Sequence, residues 1–112
     1  MKAKDLAAAL GLEIIQSVGD DKDVKAGYTS DLLSDVMANA KESSVLITIQ
    51  SHINAVAVAA HTGCGAIIIC SGRSISDDMK EAAAKEEIAM FRTEKDQFTT
   101  SHLVHGLLSK ET

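Results

Sequence analysis

The sequence predicts a three-layer α/β fold, a mainly parallel sheet flanked by helices. Two observations carry this reading. Residues 45–49 (Val-Leu-Ile-Thr-Ile) and 66–70 (Ala-Ile-Ile-Ile-Cys) are short β-branched runs without polar alternation, as strands covered on both faces require. From about residue 24, strand-like runs alternate with stretches of helical periodicity, the pattern of a sheet wound with crossover helices. Tyr28, Phe91 and Phe98 are the whole aromatic set, so the core is aliphatic. The 112 residues suit one domain, with a core at about 24–109 preceded by a helix and strand over 2–17.

Each element has a local reason. Residues 2–10 place Leu6, Ala9 and Leu10 at helical spacing; Gly11 closes the helix and Leu12 folds back on it. Residues 13–17 read as a short strand, Gly19-Asp20-Asp21 as a turn and 23–29 as a second strand. Thr29 or Ser30 is expected to cap a helix over 31–40, with Leu32, Leu33, Val36, Met37 and Ala40 as its apolar stripe. After the strand at 45–49, Asn54 is expected to cap a helix ending at Thr62, with Ile53 and Val58 as a hydrophobic staple and Gly63 as the stop. After the strand at 66–70, Ser76 caps a helix with Asp77 and Asp78 in its first turn and a Glu81–Lys85 pair on its surface. Residues 87–92 give a last strand, and 96–109 a final helix with Leu103, Val104, Leu107 and Leu108 on one face.

Charge and cysteine usage narrow the function. Eleven basic against sixteen acidic residues leave a net charge of −5, with Arg73 and Arg92 as the two arginines, so nucleic acid is not an expected partner. Cys64 and Cys70 lack C-x-x-C spacing and read as buried thiols in a reducing compartment. No stretch has the length of a membrane span or the form of a signal segment, so a cytoplasmic location without a membrane partner is expected.

In open parallel sheets, ligands bind beyond the strand carboxyl ends. The loops there hold Ser30 and Asp31, then Gln50, His52 and Asn54, then Gly72 and Arg73, then Thr93 and Asp96. These are the candidate ligand-binding residues, a mixture suited to a small polar or anionic ligand. Arg73 is the sharpest of them. It stands in a glycine-containing loop ahead of a helix N-terminus, where free N–H groups and a guanidinium favour a phosphate or carboxylate. The competing reading makes Gly72 a turn residue and Arg73 a solvated side chain neutralised by Asp77 and Asp78. His52 reads either as a ligand or acid–base contact, with Asp31 as its partner, or as a loop histidine before a cap.

His102 and His105 form an H-x-x-H pair without a matching third ligand motif, so no metal is expected. With Phe98 they share a helix face at i, i+4 and i+7, which reads as an association surface or as a partly solvated face. The chain holds no G-x-x-x-x-G-K-[ST], H-E-x-x-H or G-x-S-x-G. Gly63-Cys64-Gly65 precedes a strand where a dinucleotide loop follows one, and Cys64 with His61 lacks an orienting carboxylate. Neither a cofactor nor a catalytic residue is expected.

Three segments carry a family resemblance: 30–37 (Ser-Asp-Leu-Leu-Ser-Asp-Val-Met), 66–73 (Ala-Ile-Ile-Ile-Cys-Ser-Gly-Arg) and 91–100 (Phe-Arg-Thr-Glu-Lys-Asp-Gln-Phe-Thr-Thr). Together with the opening helix at 5–12, they make nearly the whole chain resemble the DRTGG domain. Two departures stand out. The pentapeptide that names the family is missing, with Ser71-Gly72-Arg73 in a loop where relatives have two glycines, and Gln97 stands where relatives have threonine. The resemblance implies an accessory domain of the kind that accompanies CBS domains in regulated pyrophosphatases and occurs in phosphotransacetylases. It also implies likeness to the N-terminal domains of HPr kinase and the Mur ligases. The expected function is therefore a non-catalytic regulatory or sensory module, a homodimer, taking a nucleotide or phosphorylated metabolite. The alternative is a protein-interaction or dimerisation module without a small ligand, acting on a partner enzyme.

Overall fold

The computed structural model describes residues 1–111. Along them run α1 (Ala3–Leu10), β1 (Glu13–Gln16), β2 (Ala26–Thr29), α2 (Leu33–Asn39), β3 (Ser44–Thr48), α3 (Ile53–Thr62), β4 (Ala66–Ile69), α4 (Asp77–Lys85), β5 (Ala89–Arg92) and α5 (Gln97–Ser109). The strands make one sheet in the order β1-β5-β4-β3-β2. Strands β2 to β5 are mutually parallel, and β1 adds antiparallel to β5.

The alternation of side chains along β3, β4 and β5 divides the core into two layers. Leu46, Ile67, Ile69 and Met90 face one side, where they pack with Val36 of α2, Val56 and Ala59 of α3, and Met79 and Ala83 of α4. Val45, Ile47, Ile68 and Phe91 face the other side, against Leu6 and Ala7 of α1 and Val104 of α5. The three crossover helices thus share one face, as the uniform hand of parallel connections dictates when strand order is monotonic. Leu46, Ile67, Ile68 and Ile69 are fully buried, each worth roughly 1.5–3 kcal/mol of transfer free energy. The expected parallel three-layer architecture is therefore the observed one. The opening helix and strand are built into the same core, since Leu6 is fully buried beside Phe91.

Several local expectations are corrected. Neither Thr29 nor Ser30 caps α2; the N-cap position is Leu32, which supplies no side-chain bond. The Ser30 hydroxyl instead accepts from the Leu32 N–H at 3.2 Å, because Asp31 is held against β3 and the helix starts only beyond it. On this short helix only a narrow stripe reaches the core: Val36 is buried, whereas Leu32 and Met37 are 65% and 49% exposed. Helix α3 is capped by His52, whose Nδ1 accepts the Asn54 N–H at 3.2 Å. The chain is still extended at His52 (φ −106, ψ 149) and already helical beyond it, which puts Asn54 in the first turn and leaves Ile53 too exposed to staple it. On α4 the ion pair joins Lys80 to Asp77 at 3.8 Å, in place of the expected Glu81–Lys85 pair. Ser76 caps α4 as expected, accepting from the Met79 N–H at 3.3 Å, and Asp96, a candidate ligand residue in the sequence, caps α5 by accepting from the Thr99 N–H at 2.8 Å.

Strand β1 was legible as a strand, though its antiparallel place at the edge was not. Arg92 holds it there with a forked pair to Glu13, Nη2 to Oε1 at 2.9 Å and Nε to Oε1 at 3.1 Å. The turn leaving β1 passes so close to the turn before β5 that a Cβ on Gly19 would collide with the Glu87 carbonyl. Gly19 also has φ 91, where side chains are strained. Gly19→Ala is expected to lower stability by about 2 kcal/mol or more, read as a lower urea midpoint with an unchanged slope. A neutral substitution would mean that the two turns are not held together.

Candidate functional site

Four loops leave the carboxyl ends of the parallel strands, and one side chain ties three of them together. Asp31, in the loop after β2, accepts from the Thr48 hydroxyl and the Ile49 N–H through Oδ1, both at 3.0 Å. Its Oδ2 accepts from Gln97 Nε2 at 3.0 Å, across 66 residues of chain. Its backbone carbonyl accepts from Gln50 Nε2 at 2.8 Å, and the Gln50 N–H in turn donates to the Thr48 hydroxyl at 3.1 Å. Asp31 is thus a latch joining the ends of β2 and β3 to the start of α5. Burial pushes its carboxyl up. The hydrogen bonds from Ile49, Gln97 and Thr48 and the charge of Arg73 outweigh that, and it titrates below the usual carboxylate range.

The fourth loop joins this apex through the backbone. The N–H groups of Ser71 and Gly72 donate to the carbonyls of Lys95 and Thr93, both at 2.9 Å, and the Thr93 N–H donates to Ile69 at 3.0 Å. Gly72 is required here. It has φ 62, and a Cβ would run into the Glu94 carboxylate. The Arg73 N–H donates to the Cys70 carbonyl at 3.4 Å. The cradle of free N–H groups expected ahead of α4 is therefore not formed at residues 71–73, because backbone carbonyls already take up those donors. Ser76 and two acidic residues occupy the start of α4 itself. What the loop offers outward is the exposed Arg73 side chain, near enough to bias Asp31.

The other candidates divide between scaffold and surface. Ser30 makes the turn before α2, the Thr93 hydroxyl accepts from the Lys95 N–H at 3.2 Å, and Asp96 caps α5. His52 and Asn54 stand exposed at the start of α3, where His52 Nδ1 is engaged as the cap. His52 and Asp31 each bond other groups, so the acid–base pairing is not formed. Phe98, His102 and His105 are all exposed on α5, Phe98 at 83%. Among the described residues, no group of three or more His, Cys, Asp or Glu is placed to hold a metal ion.

Two participants were missed from the sequence, Thr48 and Gln97. Thr48 carried a signal: a fully buried hydroxyl at the end of an apolar strand must find a partner. Gln97 carried none, because its partner lies far off in sequence. Three exposed apolar residues stand at nearby positions of the chain: Leu32 next to Asp31, Phe98 next to Gln97, and Ile53, 41% exposed, at the start of α3. Two grooves of about 450 Å3 lie elsewhere, one among Lys22, Ser43, Cys64 and Glu86, the other between the edge of β2 and α5.

The DRTGG domain family model matches residues 5–107 of the 112. The chain belongs to the DRTGG domain family. No curated protein matches this DRTGG domain in sequence. Among solved structures it is similar to the CBS and DRTGG domains of the regulatory region of Clostridium perfringens pyrophosphatase, crystallised with its activator, diadenosine tetraphosphate. The TM-score is 0.75 at 19% identity over 92% of this chain, which establishes a shared fold. The DRTGG chain described here spans 45% of that regulatory region. No helix among its described residues is long and apolar enough to cross a membrane.

The latch makes a specific demand on pH. Because Asp31 keeps its charge to lower pH when folded, its stabilisation is fully present above about pH 5 and is lost as pH falls through the ordinary carboxylate value near 4 and below. Asp31→Asn is expected to cost about 1–3 kcal/mol at neutral pH in urea unfolding, with the gap to the unaltered chain narrowing towards pH 3. A gap that stays constant with pH would show that the charge on Asp31 does not hold the apex. Burial also raises the thiols of Cys64 and Cys70 above their usual range. Both are expected to resist alkylation in the folded chain and to react once it is unfolded, as counted by mass spectrometry.

Proposed function

We propose that this DRTGG domain is a non-catalytic regulatory or sensory module of the cytoplasm. It takes a small anionic ligand, such as a nucleotide or phosphorylated metabolite, at the latched apex. The observation that carries the reading is the pairing of a rigid frame with an exposed guanidinium. Asp31 fixes three loops in mutual register, and Arg73 projects beside it from a fourth. A guanidinium on an exposed loop binds an oxyanion well only where its backbone is already ordered, since the entropy of ordering is then not charged against binding. Helices α3, α4 and α5 start at this end of the sheet and add the positive ends of their dipoles. The apolar rim of Leu32, Ile53 and Phe98 gives a nucleobase or a partner something to rest on. The pyrophosphatase relative supports the regulatory class, because its DRTGG domain belongs to a regulatory region that binds an activating nucleotide. Chemistry within the domain is not expected, since the apex carboxylate and His52 are both engaged in holding structure.

A second reading, an association module needing no small ligand and acting as a homodimer or on a partner enzyme, draws on the exposure of Phe98 in line with His102 and His105. The two readings separate cleanly. Thermal-shift and calorimetric titration with adenine and uridine nucleotides and with inorganic phosphate should give at least one saturable hit. Arg73→Ala should weaken that hit about tenfold or more while leaving the melting temperature of the free chain unchanged. If no nucleotide or phosphate binds, or if Arg73→Ala binds as tightly, the anion reading is wrong. Association that survives Arg73→Ala and fails in Phe98→Glu would favour the second.

A further inference from the structure

Lys25, Gly27 and Thr29 alternate along the edge of the sheet and fall on the face turned towards α5, so the middle of this row has no side chain. The fold does not ask for glycine there. Gly27 does not have a positive φ. The β2–β3 register runs unbroken from Ala26 against Ser44 to Thr29 against Ile47, so Gly27 marks no bulge. No backbone crowds it either. A Cβ would touch only the side chains of Val104 at 3.6 Å and of Ile47 and Val45 at 3.8 Å, all ordinary contacts. Glycine inside a strand weakens it, and commonly marks a bulge or the close approach of a backbone or a ligand. With the bulge and the backbone excluded, the gap stands open to a ligand.

The gap opens the groove of about 450 Å3 between β2 and α5, a volume within the range of small-molecule sites. Its floor is apolar, with Ile47 and Val104 buried beneath Gly27 and Leu108 one helical turn beyond Val104. The end nearer the apex is closed by Thr29 and Ser101, whose hydroxyls meet at 2.6 Å. Lys25 lies about 13 Å from Thr29 along the extended chain, and His105 follows Val104 on the same side as Lys25. Among the described residues, neither Lys25 nor His105 has a side-chain hydrogen bond or ion pair. No Asp or Glu lines the groove, although the chain has sixteen of them. Glu111, just beyond α5, is taken up by the Met1 ammonium at 3.2 Å.

We propose that this groove is a binding site, separate from the apex, for a small amphipathic carboxylate. Its apolar body lies over Gly27, between Ile47, Val104 and Leu108, and its carboxylate meets Lys25 and His105. Charge complementarity selects the class: an uncompensated ammonium at one end of an apolar floor asks for one negative charge on an apolar body. One ammonium and one imidazole are too few donors for a polyphosphate, which separates this ligand from a nucleotide. Asp31, Gln97 and Arg73 do not line the groove, so the inference stands apart from the reading of the apex.

Isotope-edited NMR titration with naphthoate and with octanoate tests this, with naphthamide as the uncharged control. At least one anion should bind saturably with a Kd at or below about 1 mM, shifting the amides of Gly27, Thr29, Ser101, Val104 and His105. Either anion supports the inference, and the tighter one identifies the body as ring or chain. Lys25→Gln should weaken the anion about threefold or more and leave naphthamide unchanged. Gly27→Val, which fills the floor, should weaken anion and amide alike about tenfold or more. Gly27→Ala should melt no lower than the unaltered chain, as expected of a glycine kept for a ligand. Arg73→Ala should bind the anion normally, so this site and the apex can fail separately. The inference is overturned if neither anion shifts the groove amides at about 5 mM, or if the shifts centre on the apex loops. It is equally overturned if naphthamide binds as tightly as naphthoate, or if Lys25→Gln binds the anion undiminished.

Discussion

Strands β3 and β4 are buried on both faces, and the rest of the architecture answers that constraint. Residues 44–48 and 66–70 are covered throughout, so the sheet needs a helical layer on each side. The chain meets the need asymmetrically. Three crossover helices, forced to one hand, fill one face; the opening and closing helices fill the other. To reach its face, the chain leaving β5 must pass over the end of the sheet before α5 begins. That passage, residues 93–96, brings Gln97 to Asp31 and creates the apex. The candidate site is therefore a by-product of the change of face after the last strand.

The apex shows how one carboxylate can order several loops. A loop residue that accepts from a hydroxyl, a backbone N–H and a distant amide gives the loops a common reference. Its charge is stabilised by those donors and by Arg73, so the same group also sets the local field that an incoming anion would meet. Tyr28 and Asp35 repeat the theme on a smaller scale. The phenol donates to the carboxylate at 2.9 Å and fastens α2 to the strand before it.

The sequence announced the parts that depend on pattern. The apolar runs at 45–49 and 66–70, the glycines at 11 and 63, and the cap at Ser76 were each legible because the cause lies within a few residues of the effect. The cap of α3 was misplaced by two positions because histidine accepts through Nδ1 only when the backbone presents the right N–H to it. The α2 cap failed for a different reason: Asp31 was drawn to β3 by contacts 17 and 18 residues away, and the helix began later. Gln50 reaches Asp31 and Gly72 reaches Thr93 by hydrogen bonds, since strand ends in a parallel sheet are neighbours by construction. The division of the candidate residues into scaffold and surface was not legible, because it turns on hydrogen bonds between positions such as 31 and 97 that no local window connects.

The two rims of the sheet are unlike each other. The register of β1 against β5 shifts between Ile14 and Gln16, and the Gln16 side chain donates to the carbonyls of Ile88 and Val18 at 2.8 and 3.1 Å. A bulged, self-bonded rim offers poor hydrogen bonding to an arriving strand. The rim at β2 is regular. A sheet with two regular rims is a template for open-ended growth; a sheet with one is not. By irregularity at a single position, the chain removes one of the two templates that open-ended sheet growth requires.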